Sequence, residues 1–277
     1  MSFLTEAEPD RGANLPVLPG ISRIVANNPG PMTYYGTNTY LIDTPEGTAV
    51  LDPGPEGHPE HVDAILRHTG GRVALILISH THHDHVGATP ALQAATGART
   101  VGFHTSAIEA FDPDIKLDHN GSVAGITALH TPGHASDHLC YALTGANGDK
   151  ILFSADHVMS WSTSIVSPPG GDMREYFASL NLLLGRDDDV YLPGHGPLLR
   201  EPRGLVRAML THRMLREQSI ARKLVDGPGD ASSIMEALYA QLNPKLKRAA
   251  ERSVLAHLLK LEAEGKAVRD GEIWRAA

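Results

Sequence analysis

The sequence predicts an α/β domain followed by a small, mainly helical domain that closes on a hairpin. Three observations carry this. Strand-like and helix-like stretches alternate through the first 200 residues, separated by Gly, Pro and Asn. Beyond Glu201-Pro202-Arg203-Gly204 the pattern turns helical. At 277 residues, with 42% hydrophobic and only 20% charged, the chain can fill one large core and one small one. The expected domains are 1–203 and 204–277.

In chain order, strands are expected at Ile21–Val25, Thr39–Asp43, Ala49–Leu51, Val73–Ile78 and Val101–Gly102, then at Val123–Leu129, Leu139–Leu143, Lys150–Phe153 and Val190–Leu192. The run Val73-Ala74-Leu75-Ile76-Leu77-Ile78 is uninterruptedly apolar, as a buried strand reads. Helices are expected at Glu60–His68, from about Val86 to Thr96, and at Met173–Leu184. Past the seam come helices at about Leu205–Leu224, Ala231–Tyr239 and Leu246–Glu264. Two short apolar stretches around Asp270-Gly271 then signal a hairpin. Three helices and a hairpin are the outline of a winged helix.

The third of these helices has Lys245, Lys247, Arg248, Arg252 and Lys260 near or on it, beside Glu251, Glu262 and Glu264, a mixed surface with a modest basic bias. A winged helix serves either nucleic acid or packing and dimerisation. The mixed surface favours packing, with a homodimer as one outcome. Charge is uneven: residues 1–200 hold 10 Lys and Arg against 22 Asp and Glu, a net of −12, and residues 201–277 hold 14 against 10, a net of +4. An acidic larger part discourages loose polyanion binding without forbidding a local basic track.

One cysteine, Cys140, excludes an internal disulfide framework and fits a reducing compartment. The start MSFLTEAEPDRGANLP has no basic-then-apolar signal region, and no stretch approaches about 18 apolar residues. A cytoplasmic chain with no membrane contact is the expectation.

The chemistry concentrates in His80-Thr81-His82-His83-Asp84-His85, just after the apolar run, and continues with His134, Asp156 and His195. His80 and His82 alternate, so an extended loop turns both rings to one side. Asp84 and His85 follow after one spacer and can feed a second ion, with His83 pointing away. The three distant residues each end an apolar stretch, in Thr131-Pro132-Gly133-His134, Phe153-Ser154-Ala155-Asp156 and Pro193-Gly194-His195-Gly196. Imidazole and carboxylate in tight geometry suit zinc. Two metals ~3.5–4 Å apart can share a nucleophile, and a carboxylate such as Asp156 suits the bridge.

These residues resemble the metallo-β-lactamase superfamily, whose signature is His-x-His-x-Asp-His. Asn28-Pro29-Gly30-Pro31, Thr37-Asn38-Thr39-Tyr40-Leu41 and Leu51-Asp52-Pro53-Gly54 precede the cluster in family order. The first two, with Asp137-His138, His212-Arg213 and Arg216-Glu217, look like the lactamase-beta-two-like branch, which ends in a winged helix. The resemblance implies an αββα sandwich and two Zn2+ per chain, with Mn2+ or Fe2+ accepted by the same donors. His80, His82 and His134 would hold the first metal, Asp84, His85 and His195 the second, and Asp156 would bridge them. Asp52 would bond to a ligand from outside, and His138 either lines the site or is structural.

The implied reaction is hydrolysis by a metal-bridging hydroxide, with Asp84 also orienting the nucleophile. True zinc β-lactamases of the family generally lack a bridging aspartate at the position of Asp156. Its presence directs the reading to thioesterase, lactonase or phosphodiesterase relatives, among which a small ester, thioester or lactone is the preferred substrate. The loop Met159–Gly171, with Tyr34 and Tyr35, offers an apolar wall for an acyl group, unless Trp161 packs into the core. Cleavage of single-stranded RNA is the alternative, and a mononuclear-iron persulfide dioxygenase a further one.

Overall fold

The computed structural model describes residues 2–277. The first four strands, β1 (Leu15–Leu18), β2 (Ile21–Val25), β3 (Asn38–Thr44) and β4 (Gly47–Leu51), form an antiparallel meander. Helix α1 (Pro59–Thr69) crosses to β5 (Leu75–Leu77), which adds in parallel. Helices α2 (His83–Val86) and α3 (Thr89–Thr96) lead to β6 (Arg99–Phe103) and then β7 (Ile115–Leu117), both parallel additions, completing a seven-stranded sheet in sequence order. Parallel neighbours require such crossovers, whereas antiparallel ones need only tight turns.

The second sheet contains β8 (Ser122–Val123), β9 (Ile126–His130), β10 (Leu139–Thr144), β11 (Lys150–Ala155), β12 (Val190–Pro193) and β13 (Leu199–Arg200), in the order β13-β12-β11-β10-β9-β8. Its one parallel pair, β11 and β12, is joined through α4 (Met173–Leu184). Alternation sorts each strand between two cores. Tyr40, Ile42, Leu75 and Leu77 meet Tyr141, Phe153 and Leu192 between the sheets. Leu41 and Ile76 face outward onto Ile65 and Leu92, and Cys140 and Leu152 face outward onto Tyr176 and Leu180. The result is the αββα sandwich.

Helices α5 (Arg203–Asp226), α6 (Ala231–Leu238) and α7 (Pro244–Ala263) precede a hairpin of β14 (Ala267–Asp270) and β15 (Ile273–Ala276), the winged-helix outline. The two loop residues are Gly271 and Glu272, one step beyond the expected Asp270-Gly271 turn, with Gly271 at φ 59. Helix α5 belongs to two cores: Val206 and Met209 pack beside α4, while Ile220 and Leu224 join Ile234, Leu258 and Trp274. Lys260 donates to Glu217 of α5 at 2.7 Å, and Arg252 donates to Ser167 at 2.9 Å. These two cations of α7 thus turn inward, and the side chain of Lys245 lies outside the described residues. Among the described residues, no helix is long and apolar enough to cross a membrane.

Trp274 is fully buried in the C-terminal core. Trp274→Ala is therefore expected to cost about 3–5 kcal/mol. Chemical denaturation should show this as an early transition of the C-terminal helices; a midpoint equal to the parent's would contradict it.

Candidate metal centre

Most residues of the candidate centre leave the end of a strand. Ser79 and His80 follow β5, Asp52 follows β4, His134 lies between β9 and β10, Asp156 follows β11, and His195 follows β12. The two sheets thereby converge on one rim. His82 is extended (φ −68, ψ 144), but α2 starts at His83, so Asp84 and His85 sit on a helical turn and not in a continuous extended loop. His83 is exposed and outside the cluster.

Two groups of donor atoms result. The Nε2 atoms of His80 and His134 each lie 2.9 Å from His82 Nδ1. Across the site, His195 Nε2 lies 3.2 Å from Asp84 Oδ2 and 3.4 Å from Asp156 Oδ1. His85 Nε2 stands 3.6 and 3.5 Å from the same two atoms. Asp156 spans both groups, because its Oδ2 is 3.6 Å from His134 Nε2.

The hydrogen bonds behind the rings fix their tautomers. His134 Nδ1 faces the Ile165 carbonyl at 2.6 Å, His195 Nδ1 the Gly36 carbonyl at 3.2 Å, and His85 Nδ1 the Asp52 carboxylate at 2.8 Å. None of these oxygens can donate, so each Nδ1 carries the hydrogen and each Nε2 presents a lone pair inward. Ser79 Oγ donates to Asp52 at 2.6 Å and so accepts from His80 Nδ1 at 2.9 Å, giving His80 the same orientation. Facing lone pairs repel unless a cation lies among them. His85 Nε2, His195 Nε2 and Asp156 Oδ1 are buried with no hydrogen-bond partner, which is the state of atoms built to ligate. This donor set fits divalent cations.

The electrostatics divide the site into two halves, one that repels positive charge and one that draws it, as a proton or as a metal ion. Burial, then the neighbouring histidines, holds His80 well below the usual imidazole value, and His82 is lowered to about 4. Burial also opposes charge on His85, but Asp84, Asp156 and Asp52 outweigh it and raise the ring well above its usual value. The Asp156 and Asp84 carboxylates likewise overcome burial at His195, raised to about 9. The carboxylates thus create a strongly cation-attracting half. Two non-glycine residues at this rim are left-handed, Asp52 at φ 53 and Ala155 at φ 41, strain of the kind found where function fixes the backbone.

Several contributors were not legible as site residues. Ser79 links Asp52 to His80, and the backbone carbonyls of Gly36 and Ile165 orient two rings. Asn38 holds the turn around His195 by donating to the Pro193 and Gly196 carbonyls, both at 2.9 Å. His138 is buried, bonded to Thr131 at 2.9 Å, with its ring 5.1 Å from that of His80. Trp161 is half-buried, with Tyr34 at 5.0 Å and Gly196 against its indole, so it lines the rim and does not enter the main core.

Asp52→Asn isolates the outer carboxylate. Asp52 accepts from Ser79 N, Ser79 Oγ and His85 Nδ1, and an amide must turn its NH2 toward one of these donors. Asparagine tolerates the left-handed backbone, so the effect is electrostatic. Metal affinity, measured by chelator competition, should fall by about 10–100-fold; a change within about twofold would show that Asp52 does not support the ligands.

A family model described as "Metallo-beta-lactamase superfamily" matches residues 32–195, and one described as "Beta-lactamase associated winged helix domain" matches residues 231–274. The chain is 32% identical over 267 residues to "Beta-lactamase-like protein 2 homolog" of Drosophila melanogaster, covering 89% of each chain. It is 33% identical over 225 residues to "Thioesterase pkgB" of Emericella nidulans, covering 75% of this chain and 62% of that one. A crystal structure of a beta-lactamase domain protein from Burkholderia ambifaria superposes with a TM-score of 0.83 at 22% identity, over 98% of this chain and 96% of the other, which shows the shared fold.

Proposed function

The chain belongs to the metallo-beta-lactamase superfamily and is a hydrolase of that family, and from that premise we propose that it cleaves a small thioester, ester or lactone at a pair of divalent metals. The observation that carries the two-metal reading is the inward set of lone pairs on two sides of Asp156, with three of its atoms buried and unpartnered. His80, His82 and His134 would hold one ion, Asp84, His85 and His195 the other, and Asp156 would bridge. Bound there, the ions would activate water and polarise the scissile carbonyl. Zinc is the first choice for these nitrogen and oxygen donors; manganese or iron suits them as well.

The protein's own groups supply orientation and proton handling. Asp84 keeps its side chain 29% exposed while Oδ2 faces His195. Burial opposes its charge, but His85 and His195 outweigh that and hold it below the usual carboxylate range, so it suits a ligand that also orients an incoming water. Asp52, Ser79 and the Gly36 and Ile165 carbonyls hold the rings in one tautomer. No serine or cysteine nucleophile is needed, and Cys140 is buried with its thiol pushed up to about 12 by desolvation.

For the substrate, a relative bearing the name thioesterase and the half-buried Tyr34–Trp161 wall support an acyl compound. The inward use of Arg252 and Lys260 leaves α7 a weaker track for RNA than its sequence promises. The test is metal analysis of protein purified without chelator, with parallel assays on acyl thioesters, lactones and single-stranded RNA. Near two metals per chain with thioester or lactone turnover is expected. RNA cleavage alone would overturn the substrate assignment, and a lone iron would turn the reading to a persulfide dioxygenase.

A further inference from the structure

A cleft of about 380 Å³ lies between the Met159–Ile165 segment and helices α5 and α7. One face of α5 sends His212, Arg213 and Arg216 into its wall, and among the described residues no Asp or Glu lines it. Arg213 is only 5% exposed. Its guanidinium donates to the Ser164 carbonyl and to Ser253 Oγ, neither of them charged. Arg216 lies 4.1 Å over the Tyr239 ring, and its Nε is buried without a hydrogen-bond partner. His212 Nδ1 and Trp161 Nε1 are buried and unpartnered in the same wall. Among the described residues no carboxylate pairs with either arginine. The remaining lining is largely apolar, with Met32, Leu242, Leu246 and Ala249.

Burying a guanidinium without a counter-charge is costly, so an arrangement of this kind is built for an anion that arrives from outside. The cleft also shares a wall with the metal centre. The Ile165 carbonyl orients His134, and Trp161 lies against Gly196, next to His195. We propose that this cleft binds the anionic, non-reacting part of an amphipathic substrate, with a carboxylate or phosphate at Arg213 and Arg216 and its hydrocarbon along Met32, Leu242 and Leu246. The assignment rests on the hydrolase reading of the adjoining centre and sharpens it: the substrate carries a fixed negative charge away from the bond that is cleaved. That charge resides either on the acyl group, as a carboxylate, or on the carrier arm, as a phosphate.

Calorimetry on the full-length chain as purified, with octanoate, octyl phosphate and 1-octanol as probes, tests this without turnover. Either anion should bind roughly tenfold or more tightly than the alcohol, the worth of one charge-assisted hydrogen bond. Arg216→Met should abolish that preference and leave octanol binding unchanged. Ala249→Glu, which brings a carboxylate to the opposite wall, should do the same without touching an arginine. Tighter octanoate places the charge on the acyl group, and tighter octyl phosphate places it on the carrier. Equal affinity for all three probes, no binding, or an anion preference that survives both variants would overturn the proposal. Anion binding in a chain that hydrolyses no thioester, ester or lactone would remove the proposed function and keep the cleft.

Discussion

Asp156→Ala is expected to lower hydrolysis by at least ~10³-fold and to reduce bound metal below two per chain. Metal polarisation contributes several kcal/mol to such reactions, and each ~1.4 kcal/mol is tenfold in rate. Among the described residues, Asp156 alone turns its two oxygens to both donor groups, with Oδ1 toward His85 and His195 and Oδ2 toward His134. Its removal leaves His85 and His195 with Asp84 alone of the two carboxylates that draw a cation between them. His82→Ala should abolish activity from the other side, because His82 Nδ1 is the point on which His80 and His134 converge. The C-terminal core around Ile220 and Trp274 shares no residue with either site, so helicity should persist in both variants. Full turnover in both, after metal analysis, would remove the site assignment.

Much of this architecture was legible because strands buried on both faces read as apolar runs. Residues 73–78 announce β5, and Met173–Leu184 is helical over the span its periodicity indicates. The failures have local causes. Residues 123–129, read as one strand, form the hairpin of β8 and β9, because Ala124 and Gly125 both take positive φ (49 and 81). The helix expected from Val86 breaks at Ala88, whose N–H is drawn to the Gly54 carbonyl, and α3 restarts with Pro90 in its first turn. Strands β1, β7 and β13 escaped notice as short edge strands, β1 with Pro16 inside it.

At the centre, side chains with a chemical signature were readable and backbone groups were not. Nothing in a sequence marks the Gly36 or Ile165 carbonyl as the partner of a histidine. Ser79 is visible only once Asp52 and His80 are known to flank it. Arg213 and Arg216 stood out in the sequence only as marks of the family branch, and packing alone shows that, among the described residues, no carboxylate answers them.

Gly194→Ala should damage the same half of the centre as Asp156→Ala without deleting a ligand. A Cβ at Gly194 would stand 2.6 Å from Asp156 Oδ1 and 2.8 Å from His85 Cε1. The backbone of Gly194 is not left-handed, so alanine brings no conformational penalty and the effect is steric. The methyl must push the Asp156 carboxylate or the His85 ring from the position where they meet His195. The group of His80, His82 and His134 stays as it is. One metal per chain and at least ~10²-fold lower turnover are expected, the latter because a misplacement of about 1 Å suffices for that loss. Gly133→Ala provides the contrast: Gly133 has φ 132, and its Cβ would lie 2.4 Å from Tyr176 Cα and N, so that variant should lose stability as well as activity. A metal-free Gly194→Ala chain that melts with the parent yet binds a single metal would show that Asp84, His85 and His195 form a separate site that activity requires. Two metals and undiminished turnover would show that the space beside Gly194 holds no reacting group.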